Sequence, residues 1–236
     1  MPCPLPPNES RRLEALRRYR VLDTPQEEAF DDLAALAAYI CQTPIAMVSL
    51  VDEHRQWFKA SVGMTVRETP REQAFCGYTI LSDDVLVVED ATRDTRFATN
   101  PLVTVESGIR FYAGAPLIDQ DGLGMGSVCV IDKQPRQISS EQSEALRRLA
   151  RQATALLEQR RLATELAGAL ERVKTIEGLL PVCSHCRGVR DDEGYWSTVE
   201  DYLARHTELG LSHGVCPDCL KTHYPRTYER MQAGKA

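Results

Sequence analysis

Three features of this 236-residue chain predict an α+β fold. Short apolar runs of strand length lie between Ile45 and Ile131, and helical patterns precede and follow them. The last quarter carries two cysteine pairs, Cys183-x2-Cys186 and Cys216-x2-Cys219, separated by 29 residues. The length allows one large or two modest domains, and 43% hydrophobic residues suffice for a core. A formal charge of −6 and a pI near 5.5 argue against a nucleic-acid or anionic-membrane binder. No stretch approaches the roughly 20 apolar residues of a membrane span. The start, MPCPLPPNES, has no apolar signal core, so the expected location is the cytoplasm. There, eight cysteines point to metal ligands or core residues rather than disulfides.

Residues 1–7 are Pro-rich and are expected to be disordered. Residues 8–20 read as a helix with Leu13, Leu16 and Tyr19 on one side. In the next helix Thr24 is the expected N-cap, Pro25 the first helical residue and Glu27 the partner in a capping box. Phe30, Leu33, Ala34, Ala37, Ile40 and Cys41 form its apolar stripe. Ile45–Val51 reads as a central strand. Gln56–Val62 alternates and stops at Gly63. Val85–Glu89 is a third strand. Phe111–Ile118 and Met125–Ile131 are two more, joined through Asp121-Gly122, a strong hairpin signal. Between the third strand and Phe111, 90–110 is long and polar, and a loop of that length is either functional or a solvated connector.

Ser139, with Gln142 three residues on, caps a helix expected to reach about Gly178. Its second half places Leu162, Leu166, Ala169, Val173, Ile176 and Leu180 at alternating steps of four and three, a coiled-coil seam. Leu146, Leu149, Ala153 and Leu156 hold a similar spacing in the first half. Two consecutive steps of three meet at Gln159, a stammer-like shift. The first half is expected to pack on its own domain and the second on another protomer.

In the tail, Asp192-Glu193-Gly194 reads as a turn. Ser197-Thr198-Val199-Glu200 is a capping box opening a helix with Val199, Tyr202 and Leu203 inward, and 220–232 is a final helix. Four thiolates held as two short knuckles match a closed tetrahedral zinc site, so Cys183, Cys186, Cys216 and Cys219 are the expected ligands of a structural zinc. A redox dithiol role, and iron in place of zinc, are the other readings of the same spacing. His185 and His213 flank the pairs. Seven Lys/Arg against eight Asp/Glu in 181–236 exclude a basic zinc finger.

The front portion, over about 8–160, resembles a GAF domain. The resemblance rests on NESRRLEAL, LDTPQEEAFDDLAALAAYIC, PIAMVSLVDEHRQWFKA, ETPREQAFC, VVEDATRDTRFATNPLV, IRFYAGAPL and GSVCVID. This wording is similar to GAF sensors of bacterial histidine kinases and diguanylate cyclases. The resemblance implies a five- to six-stranded antiparallel sheet, helices on one face and a ligand pocket on the other. The tail is similar to a short module at the ends of some bacterial sensor and response-regulator proteins. The expected organisation is then a GAF domain over 8–145, a signalling helix over 139–180 and a zinc-stapled module over 181–236. Light-sensing relatives attach a bilin through a Cys followed by His, whereas Cys76 here is followed by Gly77. A similar Cys-Gly occurs in GAF-fold reductases of free methionine sulfoxide, but 90–110 lacks the further cysteines those need.

Trp57, Lys59, Cys76, Arg110, Tyr112 and Asp132 are the candidate pocket residues, each with a packing role as its ordinary alternative. Arg110 offers a planar fork to an anion, and Cys76 is otherwise a small buried hydrophobe. No phosphate loop, Ser/His/Asp arrangement or HExxH appears, and the five histidines are scattered, so the chain is expected not to be an enzyme. The expected function is a homodimeric sensor of a small molecule or partner. It would relay to a histidine kinase or response regulator, with no nucleic-acid or membrane partner. A ligand-free scaffold and a redox or metal sensor built on the four tail cysteines are the alternatives.

Overall fold

The computed structural model describes residues 3–174, 181–191, 193–206, 212 and 214–233. Two compact units divide the chain, Met1–Leu166 and Ala167–Ala236. The first is built on six strands: β1 (Ile45–Val51), β2 (Arg55–Val62), β3 (Glu68–Pro70), β4 (Leu86–Val88), β5 (Phe111–Ile118) and β6 (Gly124–Asp132). Their order is β3-β2-β1-β6-β5-β4, and every neighbouring pair is antiparallel. Sequence alone missed β3, whose three residues carry no alternation. Gly63 ends the turn after β2 at φ +75°, where a Cβ would sit 2.1 Å from the Pro44 carbonyl oxygen. Gly122, at φ +77°, closes the β5–β6 hairpin, and Asp119 accepts from the Asp121 and Leu123 amides beside it.

Side-chain alternation splits the sheet into two buried faces. Ala46, Val48 and Leu50 of β1 and Val128 and Val130 of β6 face a core shared with helices α1 (Glu9–Arg18), α2 (Glu28–Cys41) and α5 (Ser140–Lys174). Met47 and Val51 of β1 and Cys129 and Ile131 of β6 face the opposite side. There they meet the one-turn helix α3 (Cys76–Thr79) and the long loop holding α4 (Pro101–Thr104). Residues 3–7, expected to be disordered, lie against the domain: Cys3 and Pro6 are buried, and Cys3 packs over Gly77. Residues 1 and 2 lie outside the described residues.

The expected capping box of α2 does not form. The helix starts at Glu28, and Glu27 precedes it in extended backbone. The reason is Lys59, whose side chain is fully buried. Its ammonium donates to Thr24 Oγ1 (3.0 Å), the Pro25 carbonyl (2.7 Å) and Glu27 Oε1 (2.6 Å). These groups are drawn toward β2 rather than to the helix amides. Glu27 also accepts from Arg160 Nε of α5 (2.9 Å). Burial opposes ionisation of Glu27, but the hydrogen bonds from Lys59 and Arg160 outweigh it and lower its pKa.

The expected cap of α5 is present: Ser139 Oγ accepts from the Gln142 amide and Gln142 Oε1 from the Ser139 amide. Leu146, Leu149, Ala153 and Leu157 are buried against the sheet, so Leu157 takes the place expected for Leu156, which is half-buried. Further along α5, Leu162, Leu166 and Leu170 are 50%, 62% and 52% exposed. The side chain of Val173, and Ile176 and Leu180 of the expected seam, lie outside the described residues. No described helix is long and apolar enough to cross a membrane.

The second unit holds a two-stranded ribbon, β7 (Val189–Arg190) with β8 (Trp196–Ser197), and helices α6 (Val199–His206), α7 (Pro217–His223) and α8 (Pro225–Ala233). Gly194 turns the ribbon at φ +91°, while Asp192 of the expected turn lies outside the described residues. Thr198, not Ser197, caps α6 by accepting from the Asp201 amide. No side chain of α6 is buried, against the expected inward set of Val199, Tyr202 and Leu203. The single final helix expected over 220–232 is two helices, because Pro225 interrupts it after Tyr224.

Candidate functional site

A cavity of ≈ 460 Å³ lies between the sheet and its covering loops, within the size range of small-molecule sites. Its floor is the sheet: Ile45 and Met47 of β1, Gln56 and Phe58 of β2, Tyr112 of β5 and Ile131 of β6. Met64, Val66, Leu102, Val105 and Ile109 supply apolar walls from the loops, with Lys133 among the lining residues. Val66 (49%) and Val105 (56%) are exposed, so apolar surface continues outward from the cavity.

The long loop is held in place by local chemistry. Asn100 caps α4 by accepting from the Leu102 amide and donates to the Gln73 carbonyl. Arg110 Nη1 donates to the carbonyls of Val103 (2.7 Å) and Ile109 (3.1 Å). Phe75 and Phe97 stack with ring centroids 4.0 Å apart, and Phe75 tilts against Tyr112 at 5.2 Å.

Of the candidate pocket residues, Cys76 and Tyr112 line the cavity and four do not. Trp57 lies in the core on the helix side of the sheet, and Lys59 is spent on Thr24, Pro25 and Glu27. Arg110 is a loop clamp rather than an anion fork. Asp132 accepts from Arg136 Nε (2.6 Å) and the Gln134 amide (3.0 Å). Gln56 and Phe58, the neighbours of Trp57 and Lys59 along β2, take the cavity positions instead.

The polar centre of the site is Cys76, fully buried at the start of α3. Its Sγ accepts from Ser49 Oγ (3.2 Å), Gln56 Nε2 (3.1 Å) and Tyr112 OH (3.3 Å), and lies 3.6 Å from Cys129 Sγ. Burial opposes ionisation of Cys76, but hydrogen bonds from its neighbours, Cys129 first and Ser49 and Tyr112 among them, outweigh it and hold the thiol below its ordinary value. Burial pushes Cys129 and Tyr112 up, so both keep their protons. Sequence reasoning named Cys76 and Tyr112 but missed Ser49, Gln56 and Cys129 as a set, because their positions meet only once β1, β2 and β6 are paired.

In the tail, Cys183 and Cys186 share one turn, closed by Cys183 N–H to the Gly188 carbonyl (2.8 Å) and Arg187 N–H to the Cys183 carbonyl (3.0 Å). Cys216 caps α7, its Sγ accepting from the Cys219 amide at 3.4 Å. Backbone hydrogen bonds lower the Cys183 and Cys216 thiols. The cysteines are thus paired two by two; among the described residues no three Cys, His, Asp or Glu side chains are placed to hold one metal ion. His213 lies outside the described residues.

Comparison with known proteins follows the same outline. The model of the GAF domain family matches residues 25–157. A Pseudomonas aeruginosa protein named as a cyclic di-GMP phosphodiesterase is 46% identical over 143 residues, 61% of this chain and 24% of that protein. The chain thus spans about a quarter of that relative's length. This finding corrects the expectation that the chain is not an enzyme: so similar a sequence occurs in a protein named for an enzymatic activity, and a missing catalytic motif does not set the chain apart from enzymes. The solved GAF domain of a phosphoenolpyruvate-protein phosphotransferase from Coxiella burnetii superposes with a TM-score of 0.50 at 16% identity, covering 65% of this chain and 96% of that one. That likeness is one of fold. With the family model matching more than half of its length and the six-stranded antiparallel sheet in place, the chain belongs to the GAF domain family.

Proposed function

We propose that this protein is a signalling sensor whose GAF cavity takes a small, mostly apolar organic molecule and reports its occupancy through α5 to the cysteine-bearing tail. The observation that carries the reading is the ≈ 460 Å³ cavity with apolar walls on the sheet face opposite the helices. The relative named as a cyclic di-GMP phosphodiesterase supports a place in signalling. A ligand touching the 101–109 wall biases the loop that Arg110 clamps, and β5 and β6 carry the change to the face where α5 packs. Exposed Leu162, Leu166 and Leu170 support pairing of α5 with a second copy, and the spacing shift at Gln159 offers two registers. Zinc held by Cys183, Cys186, Cys216 and Cys219 would staple the tail, drawing the two knuckles together as an interaction surface for a histidine kinase or response regulator.

The test is a thermal-shift screen of small-molecule fractions against the wild type and Ile109→Trp, which fills the cavity from its wall. A fraction that raises the melting temperature of the wild type but not of the variant supports the reading. Equal shifts in both, or none in either across the whole screen, would refute it. The scaffold alternative predicts that last result.

A further inference from the structure

Besides the two pairs of the tail, Cys76 and Cys129 form a third thiol pair. Their sulfurs lie 3.6 Å apart and both side chains are buried. The donors around them are unequally shared. Ser49, Gln56 and Tyr112 all point at Cys76 Sγ. Behind them, Ser127 Oγ lies 3.3 Å from Ser49 Oγ, and Thr79 Oγ1 lies 2.6 Å from the Tyr112 hydroxyl. Each of these hydroxyls has one proton. Thr79 donating to Tyr112, and Ser127 to Ser49, leaves both relay ends free to donate to the same sulfur. Hydrogen bonds to the charged form favour a thiolate, and the thiolate is the nucleophile. Access is unequal too. Cys76 lines the cavity together with Gln56 and Tyr112, whereas Cys129 is not a lining residue and stands behind it on the central strand β6.

The geometry points to a peroxide-reactive dithiol at the floor of the cavity, with Cys76 as the attacking thiolate and Cys129 as the resolving thiol. The oxidant is a small hydroperoxide, ROOH, admitted through the cavity. Cys76 S⁻ attacks the distal peroxide oxygen, the O–O bond breaks, and the alkoxide leaves and is protonated to ROH. Cys76 is then a sulfenic acid. The Cys129 thiol displaces its hydroxyl as water, and an S–S bond forms. In sum, two thiols and ROOH give one disulfide, ROH and H₂O: sulfur is oxidised by two electrons and the peroxide reduced by two. Bond formation at about 2.05 Å leaves roughly 1.5 Å of sulfur approach to close, a movement the one-turn helix α3 can supply more readily than β6, which is paired on both sides.

The experiment uses the full reduced chain and tert-butyl hydroperoxide at one equivalent, followed by alkylation and non-reducing tryptic mapping. Trypsin releases 72–93, whose single cysteine is Cys76, and 111–133, whose single cysteine is Cys129. The expected product is these two peptides joined, lighter by two hydrogens than their sum. Cys129→Ser should stop at a Cys76 sulfenic acid that dimedone traps. Tyr112→Phe, which keeps both thiols but removes one donor to the thiolate, should slow the reaction about tenfold. Oxidation confined to the tail cysteines, with Cys76 and Cys129 both alkylated, overturns the proposal. So does Cys76 running on to a sulfinic acid while Cys129 stays free. The wild-type map decides the question even if a variant fails to fold.

Discussion

Replacing Glu27 with alanine while Lys59 stays in place removes one acceptor from a lysine with no exposure to water. Lys59 then keeps two neutral acceptors, Thr24 Oγ1 and the Pro25 carbonyl, and the ring of Phe30 at 5.3 Å. Breaking a buried pair from one side costs about 3–5 kcal/mol. Glu27 itself is 39% exposed, and solvent already screens part of the attraction, so about 2 kcal/mol is expected. For a domain of this size that lowers the melting temperature by about 4–8 °C. Lys59→Met behaves differently. It removes the charge that needs compensation, and Thr24, Pro25 and Glu27 are near enough to solvent to be rehydrated, so a change within about 1 kcal/mol is expected. Glu27→Ala in the Lys59→Met background should add little. The assay is thermal and urea unfolding followed by fluorescence of Trp57, which is buried in the first unit while Trp196 in the tail is exposed. The penalty also has a pH sign. Because the folded-state pKa of Glu27 is lowered from 4.5, its contribution is present above that value and lost as pH falls through the lowered one. The gap between wild type and Glu27→Ala should therefore be full at pH 7 and shrink in strong acid. A Glu27→Ala protein melting within 1 °C of wild type at pH 7, or a Lys59→Met protein equally destabilised, would refute the reasoning.

Leu166→Asp should convert a dimer to a monomer in sedimentation equilibrium, whereas Leu166→Ile should not; a dimer surviving Leu166→Asp removes α5 as the pairing element. The purified protein should carry about one zinc per chain by elemental analysis, and Cys219→Ser should lose most of it and melt the tail while leaving Trp57 fluorescence unchanged. Zinc content independent of all four cysteines would discard the knuckle assignment. Arg110→Leu frees the carbonyls of Val103 and Ile109, and amide exchange over 101–110 should accelerate at least tenfold, with β1 and β6 unaffected. Uniform acceleration across the sheet would mean that Arg110 holds the domain rather than the loop.

The strands were legible where local chemistry and tertiary demand agree. Ile45–Val51 is apolar apart from Ser49 because both faces of β1 are covered, and Asp121-Gly122 supplies the positive φ its turn requires. The cap of α2 was misread because Lys59, on a strand about 30 residues away, competes for the capping groups; no local window contains that competitor. The face of β2 was misassigned for a related reason. Alternation separates Trp57 from Phe58, but with helices on one side and a loop-roofed cavity on the other, neither parity is polar enough to mark the pocket. The register shift between Val48 and Ser49 disturbs the parity further, opposite Lys59. Cys76 and Tyr112 were found, because a cysteine beside glycine and an aromatic in an apolar strand stand out singly. Their convergence with Ser49, Gln56 and Cys129 is a product of pairing β1 with β2 and β6.

Native mass spectrometry of gently purified protein tests the central claim most directly, since the cavity is proposed to hold a small organic molecule. The account predicts a wild-type species heavier than polypeptide plus metal by one discrete small-molecule mass per chain, and the loss of that mass in Ile109→Trp. A wild-type mass accounted for by polypeptide and metal alone, before and after incubation with a cellular small-molecule extract, would contradict it.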